Sequence, residues 1–312
     1  MRDFGRSDDP RVQAQLDRLS QLSVPQGRLG LETITALLAR LGDPHLRLPP
    51  VFHVAGTNGK GSTCTFLRSA LEAAGYRVHV YTSPHLVRYN ERIRVAGKLI
   101  EDARLAELLE EIFDAAEGLE PSFFEVTIAA SFLEFARVPA DACVIEVGLG
   151  GRLDATNVLK PKVLAACGIA ALGIDHERFL LAPEKDTPEE PLARIGFEKA
   201  GIAKPGVPLV TMAYPDGAMQ AIEDHAARIG CPLNVQGRDW NVSLLGHELH
   251  YQDSSGELSL PLPNLPGPHQ PENAALAIAM LRHQSLVSVS PQSMAEGIRS
   301  AKWPARLQKL SN

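Results

Sequence analysis

Short apolar runs alternate with amphipathic segments along most of this chain. The apolar runs lie at 51–55, 77–83, 142–148, 162–169 and 207–212, and runs of this length are typical of central parallel strands. Helical spacing of apolar residues is found at 30–41, 63–74, 102–117, 122–137, 192–203 and 217–229. This order predicts an α/β fold in which helices flank a mostly parallel sheet with right-handed crossovers.

Four other segments depart from this alternation. Residues 232–260 contain short β-rich pieces with turn signals, which predict a small antiparallel β edge. Five prolines between 261 and 271 predict a rigid crossing loop, with helices after it from 272 and at 291–300. Residues 1–25 form a polar lead-in with a short amphipathic helix. The acidic, proline-containing stretch 182–191 predicts an exposed loop insertion.

Composition narrows the classes of partner. The formal net charge of −6 gives no electrostatic footprint for nucleic acid or for an anionic membrane. No apolar run reaches the roughly 18 residues that a membrane span needs, and the first residues lack a signal-peptide core. The four cysteines are scattered, which favours buried thiols over a zinc site or disulfides. We therefore expect a cytoplasmic protein without nucleic-acid or membrane partners.

The glycine-rich turn GTNGKGS at 56–62 is the strongest chemical signal in the sequence. Between a strand and a helix, such a turn points backbone N–H groups and the helix dipole at a polyphosphate. Lys60 would neutralise the outer phosphates. The match to the general P-loop pattern is imperfect, because Val54 stands where that pattern has glycine and Gly61 follows the lysine. A turn without any ligand is the alternative. The candidate nucleotide-binding residues are Thr57, Asn58, Gly59, Lys60, Gly61 and Ser62.

Further motifs make the resemblance to a known family specific. With the turn at 56–62, they resemble the folylpolyglutamate synthase/dihydrofolate synthase family, which belongs to the ATP-dependent Mur ligase superfamily. They occur in the family's order and cover nearly the whole chain from about residue 28. The motifs are TSPHL (82–86), NERIRV (90–95), EVGLGGRLDATN (146–157), GIDH (173–176), FEKAGIAKPG (197–206), HQPENAALAI (269–278) and WPARLQ (303–308).

The resemblance implies that Ser83, Glu146 and His176 bind Mg²⁺ beside the phosphates of ATP. Glu146 also ends an apolar strand, at the sheet edge where ligands of α/β proteins bind. A polar strand end is the alternative for Glu146. Because Mg²⁺ prefers oxygen ligands, Mn²⁺ is a second candidate ion, and a structural role is the alternative for His176.

Lys199 is the most unusual candidate. No acidic residue stands three or four positions from it, so no ion pair within its own helix explains it. One reading is an amphipathic lysine whose ammonium reaches water. The resemblance implies the other reading, in which CO₂ carbamylates the amine and the product holds metal near the phosphates. Lys60, His176 and Lys199 are thus the candidate catalytic residues.

The remaining candidates also come from the resemblance. It implies that Asn273 and Arg306 hold the nucleotide from the far side, although Asn273 near a helix start could instead be a cap. The TSPHLVRYNERI segment would close over the site. Packing or turn geometry is the alternative for each residue implied to contact the pterin. Those residues are Arg28, Leu29, Gly30, Phe124, Glu125, Leu153, Asp154 and Ala155.

The implied reaction joins L-glutamate to dihydropteroate or folate through an acyl phosphate formed from ATP. Residues 1–299 are expected to form the central ATP-binding domain with its helical lead-in. Residues 300–312 are expected to start a linker to a C-terminal glutamate-binding domain whose motifs this sequence lacks. Because those motifs are missing, we expect that the chain binds ATP but ligates weakly alone. The family resemblance also implies a monomer. Another Mur-type amino-acid ligase and a non-catalytic nucleotide-binding module are the alternatives.

Overall fold

An eight-stranded sheet forms the centre of the computed structural model, which describes residues 6–22 and 30–303. The strands are β1 (Val51–Ala55), β2 (Val78–Tyr81), β3 (Ile93–Val95), β4 (Lys98–Leu99), β5 (Ala142–Glu146), β6 (Leu164–Ile169), β7 (Leu209–Thr211) and β8 (Leu233–Val235). Their order in the sheet is β4-β3-β2-β5-β1-β6-β7-β8. All strand pairings are parallel except at one edge, where β3 runs antiparallel to both of its neighbours, β2 and β4. The predicted α/β class is confirmed.

Helices cover both faces of this sheet. They are α1 (Pro10–Gln21), α2 (Glu32–Arg40), α3 (Lys60–Ala73), α4 (Asp102–Ala115), α5 (Phe123–Arg137), α6 (Glu177–Leu180), α7 (Pro191–Ala200), α8 (Asp216–Ile229), α9 (Gln270–Arg282) and α10 (Pro291–Ser300). On one face α3 packs against α9 and α10, and on the other α4 packs against α1 and α5. Among the described residues, no helix has the length and apolar content needed to cross a membrane.

The central strand β1 shows why the apolar runs are continuous. Val51 and Ala55 belong to the core under α1, α2, α4 and α5, whereas Phe52 and Val54 belong to the core under α3, α9 and α10. Successive side chains of a strand point to opposite faces, so a strand covered on both sides is apolar nearly throughout. Apart from His53, which is buried with its Nε2 2.8 Å from Thr156 Oγ1, β1 has apolar residues at every position. Burying each such side chain stabilises the fold by about 1.5–3 kcal/mol.

The predicted antiparallel unit is a sheet of its own. It contains β9 (Trp240–Leu245), β10 (Glu248–Asp253) and β11 (Gly256–Pro261). Arg282 of α9 ties it to the main body by donating two hydrogen bonds of 2.6 Å to Asp253. Two details differ from expectation. β8 pairs in parallel with β7, and the antiparallel edge of the main sheet comes from β3 and β4.

The stretch 182–191 is largely exposed, as predicted, but two of its acidic residues also make specific contacts. Glu184 forms ion pairs with Arg152 at 2.6 Å and with Arg194 at 3.0 Å. At the other end, Glu190 accepts hydrogen bonds from the first backbone N–H groups of α7. The acidic residues that suggested exposure thus include one that anchors the stretch and one that caps a helix.

The carboxyl ends of β1, β2, β5 and β6 meet at one edge of the sheet. The glycine-rich turn follows β1, Ser83 follows β2, and Glu146 ends β5. In open α/β sheets ligands bind outside this edge. The fold therefore gathers most of the candidate residues on one side of the molecule.

Candidate active site

The turn between β1 and α3 leaves a set of backbone donors without acceptors. Thr57 N and Asn58 N donate to the carbonyl of Ala171 at 2.8 and 3.2 Å, so these two N–H groups are committed within the protein. Gly59 has a φ of +83°, which L side chains rarely adopt, and it caps α3. Within the described residues, the N–H groups of 59–62 have no acceptor. Together with the dipole of α3, they form an anion site.

Two close contacts explain glycines in this turn. The side chain of Asn273 occupies the space that a Cβ at Gly59 would need. The indole of Trp303 lies 2.8 Å from the position that a Cβ would take at Gly61. Asn273 lies inside α9, whose N-cap is His269, so the alternative of a helix cap is wrong. The glycine-rich turn at 56–62, called the phosphate turn below, thus contacts both α9 and the segment after α10.

The ammonium of Lys60 lies over the same turn. Its Nζ donates to the carbonyls of Gly56 and Thr57 at 3.0 and 3.3 Å. Ser62 and Thr63 follow in the first turn of α3, and both are buried. The hydroxyl of Thr63 has no hydrogen-bond partner in the described part of the chain. The Lys60 ammonium and backbone donors without an acceptor among the described residues therefore surround the place where phosphates would lie.

Ser83 and Glu146 lie side by side at the ends of β2 and β5. Ser83 N donates to Glu146 Oε2 at 3.2 Å, and Glu146 is only 3% exposed. A carboxylate and an adjacent hydroxyl are oxygen donors of the kind that Mg²⁺ prefers, so these residues fit that ion. The described residues contain no group of three or more His, Cys, Asp or Glu side chains that could hold a metal. An ion here would need further ligands from its nucleotide.

His176 is placed differently from Ser83 and Glu146. It has a φ of +50° and lies in an exposed stretch, with its Nε2 3.5 Å from Asp175 Oδ2. The described residues do not combine it with Glu146 and Asp175 into a metal-binding group. Its role as a metal ligand therefore stays a prediction.

Lys199 is buried in α7, with 3% of its surface exposed, so the reading in which its ammonium reaches water is wrong. Burial, together with the charge of Lys60, lowers its pKa to about 7, while the charges of Asp175 and Asp154 oppose this shift. No hydrogen bond or ion pair to another described residue holds its Nζ. Burial therefore favours the neutral, nucleophilic form of the Lys199 amine compared with an exposed lysine.

Phe124 lies beside the turn that follows β5. Its ring occupies the space that a Cβ at Gly148 would need, and it makes an edge-on contact with Tyr81 at 6.1 Å between centroids. Gly148 belongs to the EVGLGGR motif. The structure thus brings Phe124 together with the segment that leads to 153–155, which are two of the three segments implied to contact a pterin.

Glu125 serves packing in this structure. Its Oε2 accepts from Ser122 N and Oγ, both at 2.8 Å, and its Oε1 accepts from Ile34 N at 3.1 Å. The carboxylate therefore caps α5 and ties it to α2. Gly30 immediately precedes α2 on this side of the molecule. Three candidates lie outside the described residues: Arg28, Leu29 and Arg306.

Asp154 is buried within the turn after β5. It accepts from Leu149 N at 2.9 Å and from Thr156 N at 3.0 Å, and burial raises the pKa of its carboxyl while these bonds oppose that shift. Leu153 is half-buried and Ala155 is buried. Asp154 thus fixes the conformation of the turn from inside, and contact between residues 153–155 and a substrate stays a prediction.

Sequence reasoning missed Arg92 as a residue of the site. Arg92 is 1% exposed, and its guanidinium lies over the rings of Phe123 and Tyr89 at 5.4 and 5.7 Å. Its Nε donates to His85 Nδ1 at 2.8 Å. Arg92 therefore holds the loop after β2 against the start of α5. The arginine inside NERIRV was a signal for this role. His85 and Tyr89 belong to the same loop as Arg92, whereas Phe123 comes from α5.

Comparisons with known proteins identify relatives of this chain. The dihydrofolate synthase/folylpolyglutamate synthase of Escherichia coli (strain K12) is 41% identical over 285 residues, which are 91% of this chain and 63% of that protein. The structure of E. coli FolC in complex with DHPP and ADP has a TM-score of 0.85 and 38% identity, and the match covers 96% of this chain and 68% of that chain.

A bifunctional folylpolyglutamate synthase/dihydrofolate synthase with Mn, AMPPNP and L-glutamate bound has a TM-score of 0.82 and 36% identity, over 96% of this chain and 68% of that chain. No family model matches the chain. The chain spans 63% of the length of the E. coli relative. The shared fold and the high identity along nearly the whole chain confirm the resemblance seen in its motifs. The chain belongs to the folylpolyglutamate synthase/dihydrofolate synthase family.

Proposed function

We propose that this chain binds ATP and takes part in the ATP-dependent addition of L-glutamate to dihydropteroate or a folate. The observation that carries this proposal is the set of unpaired N–H groups at 59–62, beside Lys60, in a member of this family. Solved relatives hold ADP or AMPPNP. Another Mur-type ligase is not favoured, because the relatives are folylpolyglutamate and dihydrofolate synthases.

The proposed chemistry has two steps. A carboxylate oxygen of the pteroate or folate attacks the γ-phosphorus of ATP, and ADP leaves. The glutamate amine then attacks the acyl carbon of the acyl phosphate, inorganic phosphate leaves, and the nitrogen loses a proton to give the amide. The N–H groups of 59–62 and the ammonium of Lys60 stabilise the negative charge that develops on the phosphoryl oxygens.

We propose that Ser83 and Glu146 hold a divalent cation, Mg²⁺ or Mn²⁺, next to these phosphates. When bound, the ion supplies positive charge for the phosphoryl oxygens. The support is the hydrogen bond from Ser83 N to the Glu146 carboxylate, which places two residues with oxygen-bearing side chains next to each other. His176 remains a third candidate ligand. The manganese in a solved relative agrees with this assignment.

We also propose that Lys199 is carbamylated. Its neutral amine adds to CO₂, forms a nitrogen–carbon bond and releases one proton, which turns a cation into a carboxylate-like group. The support is its burial, its pKa of about 7 and the lack of a bonding partner. A crystal of the chain grown with bicarbonate should show density for three extra atoms on Nζ. Density for a bare amine in the presence of nucleotide and metal would contradict the proposal.

On the substrate side, Phe124 and residues 153–155 form the proposed pterin contact. Their shared contact with the turn after β5 supports this assignment. Glu125 is proposed to act only by holding α5 against α2. Gly30, Asn273, Arg28, Leu29 and Arg306 keep the roles implied by the family as predictions. We propose a cytoplasmic monomer, and cell fractionation and gel filtration test these two properties.

The test of nucleotide use replaces Lys60. Lys60→Ala should lower the rate of ADP formation with dihydropteroate, L-glutamate and ATP by about 10²–10³, because one preorganised charge is lost. Lys98→Ala removes an exposed lysine from β4 and should change the rate less than twofold. An unchanged rate in Lys60→Ala would disprove the role of Lys60. ATP binding by the unmodified chain without any ADP formation would favour a non-catalytic module.

A further inference from the structure

Residues 180–190, called the insertion below, contribute the carboxylate of Glu184 to a partly buried cluster of ion pairs. Glu184 Oε2 lies 2.6 Å from Arg152 Nη2 and 3.0 Å from Arg194 Nη2. Glu198 Oε1 lies 2.9 and 3.2 Å from the same two nitrogens. Two carboxylates thus share two guanidiniums, and the charges of these four side chains balance. Arg194 and Glu198 are each 4% exposed, whereas the side chains of Arg152 and Glu184 are 24% and 21% exposed, so water screens the inner pair poorly and the outer pair only in part.

An apolar contact fixes the insertion in the same place. Leu180 is 3% exposed, and its Cδ2 lies 2.8 Å from the position that a Cβ would take at Gly150. Arg194 Nε also donates to the carbonyl of Leu180 at 3.1 Å. The insertion is therefore held on both the turn after β5 and helix α7.

The turn after β5, which contacts the insertion, also contacts both the proposed pterin side of the site and Lys199. Its Gly148 lies against Phe124, on the proposed pterin side. Its Gly151 packs on α7, where the position of a Cβ would lie 3.1 Å from Lys199 Cα. In addition, Arg152 N donates to the carbonyl of Glu198 at 2.8 Å. A shift of this turn on α7 would therefore move the proposed pterin contacts relative to Lys199.

We propose that Glu184 is a positioning residue for the pterin substrate, acting through Arg152 on the turn at 148–155. This inference rests on the proposed function for the identity of the substrate. Without the Glu184 carboxylate, two guanidiniums share the single carboxylate of Glu198, and their repulsion in a buried site pushes Arg152 away. The turn that carries Arg152 then loses its fixed place on α7. Small losses of order in the residues that support a site weaken binding.

The experiment compares two substitutions with the same change of charge. Glu184→Gln should raise the Kd for dihydropteroate about tenfold, measured by calorimetry on the 312-residue chain, and should leave the Kd for Mg–ADP within about twofold. Glu184→Asp keeps the charge and should show a smaller loss. Glu189→Gln is the matched control, because Glu189 lies in the insertion, is exposed and pairs with no described residue. It should bind both ligands as the unmodified chain does.

Hydrogen exchange tests the same inference without a substrate. Amides of 148–155 should exchange several-fold faster in Glu184→Gln than in Glu189→Gln, whereas amides of 56–62 should not change. If the unmodified chain binds no dihydropteroate, the proposed function fails, and the exchange result still decides whether Glu184 positions the turn. Equal Kd values and equal exchange in the two variants would overturn the inference. An equal loss of Mg–ADP binding in Glu184→Gln would also overturn it.

Discussion

Two lysines near the end of α7, the buried Lys199 and the half-buried Lys204, differ in what surrounds them. Lys204 Nζ donates to Asn157 Oδ1 at 2.5 Å and to the carbonyl of Ile202 at 3.3 Å. Lys199 Nζ bonds to no described residue and lies near the charge of Lys60. Burial lowers the pKa of both lysines, to about 7 for Lys199.

The difference separates a structural lysine from a candidate functional one. Lys204 links the segment after α7 to the segment after β5, and its hydrogen bonds offset part of the free energy of burying a charge. Lys199 is more deeply buried, and no hydrogen bond to a described residue offsets the free energy of burying its charge. A titratable group buried without compensation, at a sheet edge where ligands bind, is a candidate for chemistry. Three predictions test this distinction between Lys199 and Lys204.

The largest effect should be on the reaction rate. Lys199→Met removes the amine proposed to be carbamylated and should lower dihydropteroate-dependent ADP formation by about 10²–10³, as loss of one preorganised electrostatic group does. Lys204→Met should change the rate by less than about fivefold at a temperature where both variants are folded, because Lys204 contacts only structural groups. Equal losses in the two variants would remove the distinction between these lysines.

Stability should change in opposite directions. Lys199→Met should raise the free energy of unfolding by about 1–4 kcal/mol at pH 7, as replacement of a buried charge by an apolar side chain often does. Lys204→Met should lower it by about 1–3 kcal/mol, because the carbonyl oxygen of Asn157 loses its donor. Urea denaturation in buffers freed of CO₂ measures both values. A stabilised Lys204→Met would show that its hydrogen bonds contribute little.

The smallest effect is the pH dependence of that difference. The pKa of Lys199 is about 7 in the folded chain and has its ordinary value of 10.5 in the unfolded chain. Between these values the unfolded chain binds more protons, so stability rises with pH. It is highest above pH 10.5 and falls as pH decreases towards 7. The advantage of Lys199→Met should therefore shrink by up to about 1.4 kcal/mol per pH unit between pH 8 and pH 10. An advantage that does not depend on pH would contradict the lowered pKa.

The sequence predicted those elements whose cause is local. The strand at 51–55 has the predicted bounds, because an apolar run covered on both faces stops at a glycine turn. Helix α5 begins at Phe123, one residue later than the prediction of 122–137, because Ser122 and Glu125 form a capping box. Signals of this kind lie within a few residues of the structure that they determine.

The burial of Lys199 and the ion pairs of Glu184 depend on segments far apart in the chain. Spacing within α7 cannot show that the turn at Gly151 covers Lys199, because that turn comes from another part of the sequence. The acidic, proline-containing composition of 182–191 predicted its exposure, but it could not show that Glu184 meets Arg152 and Arg194. The place of Asn273 at the phosphate turn was implied by the family resemblance, since no pattern around Asn273 indicates Gly59 as its neighbour.

The indole of Trp303 gives this chain a built-in optical reporter. The sequence has only two tryptophans, and Trp240 is fully buried in the small sheet, stacked on Tyr251. Trp303 lies against Gly61, the residue that separates this turn from the general P-loop pattern. In a Trp240→Phe background, all indole fluorescence would come from the phosphate turn. Nucleotide arrival could then be followed in real time without any attached dye.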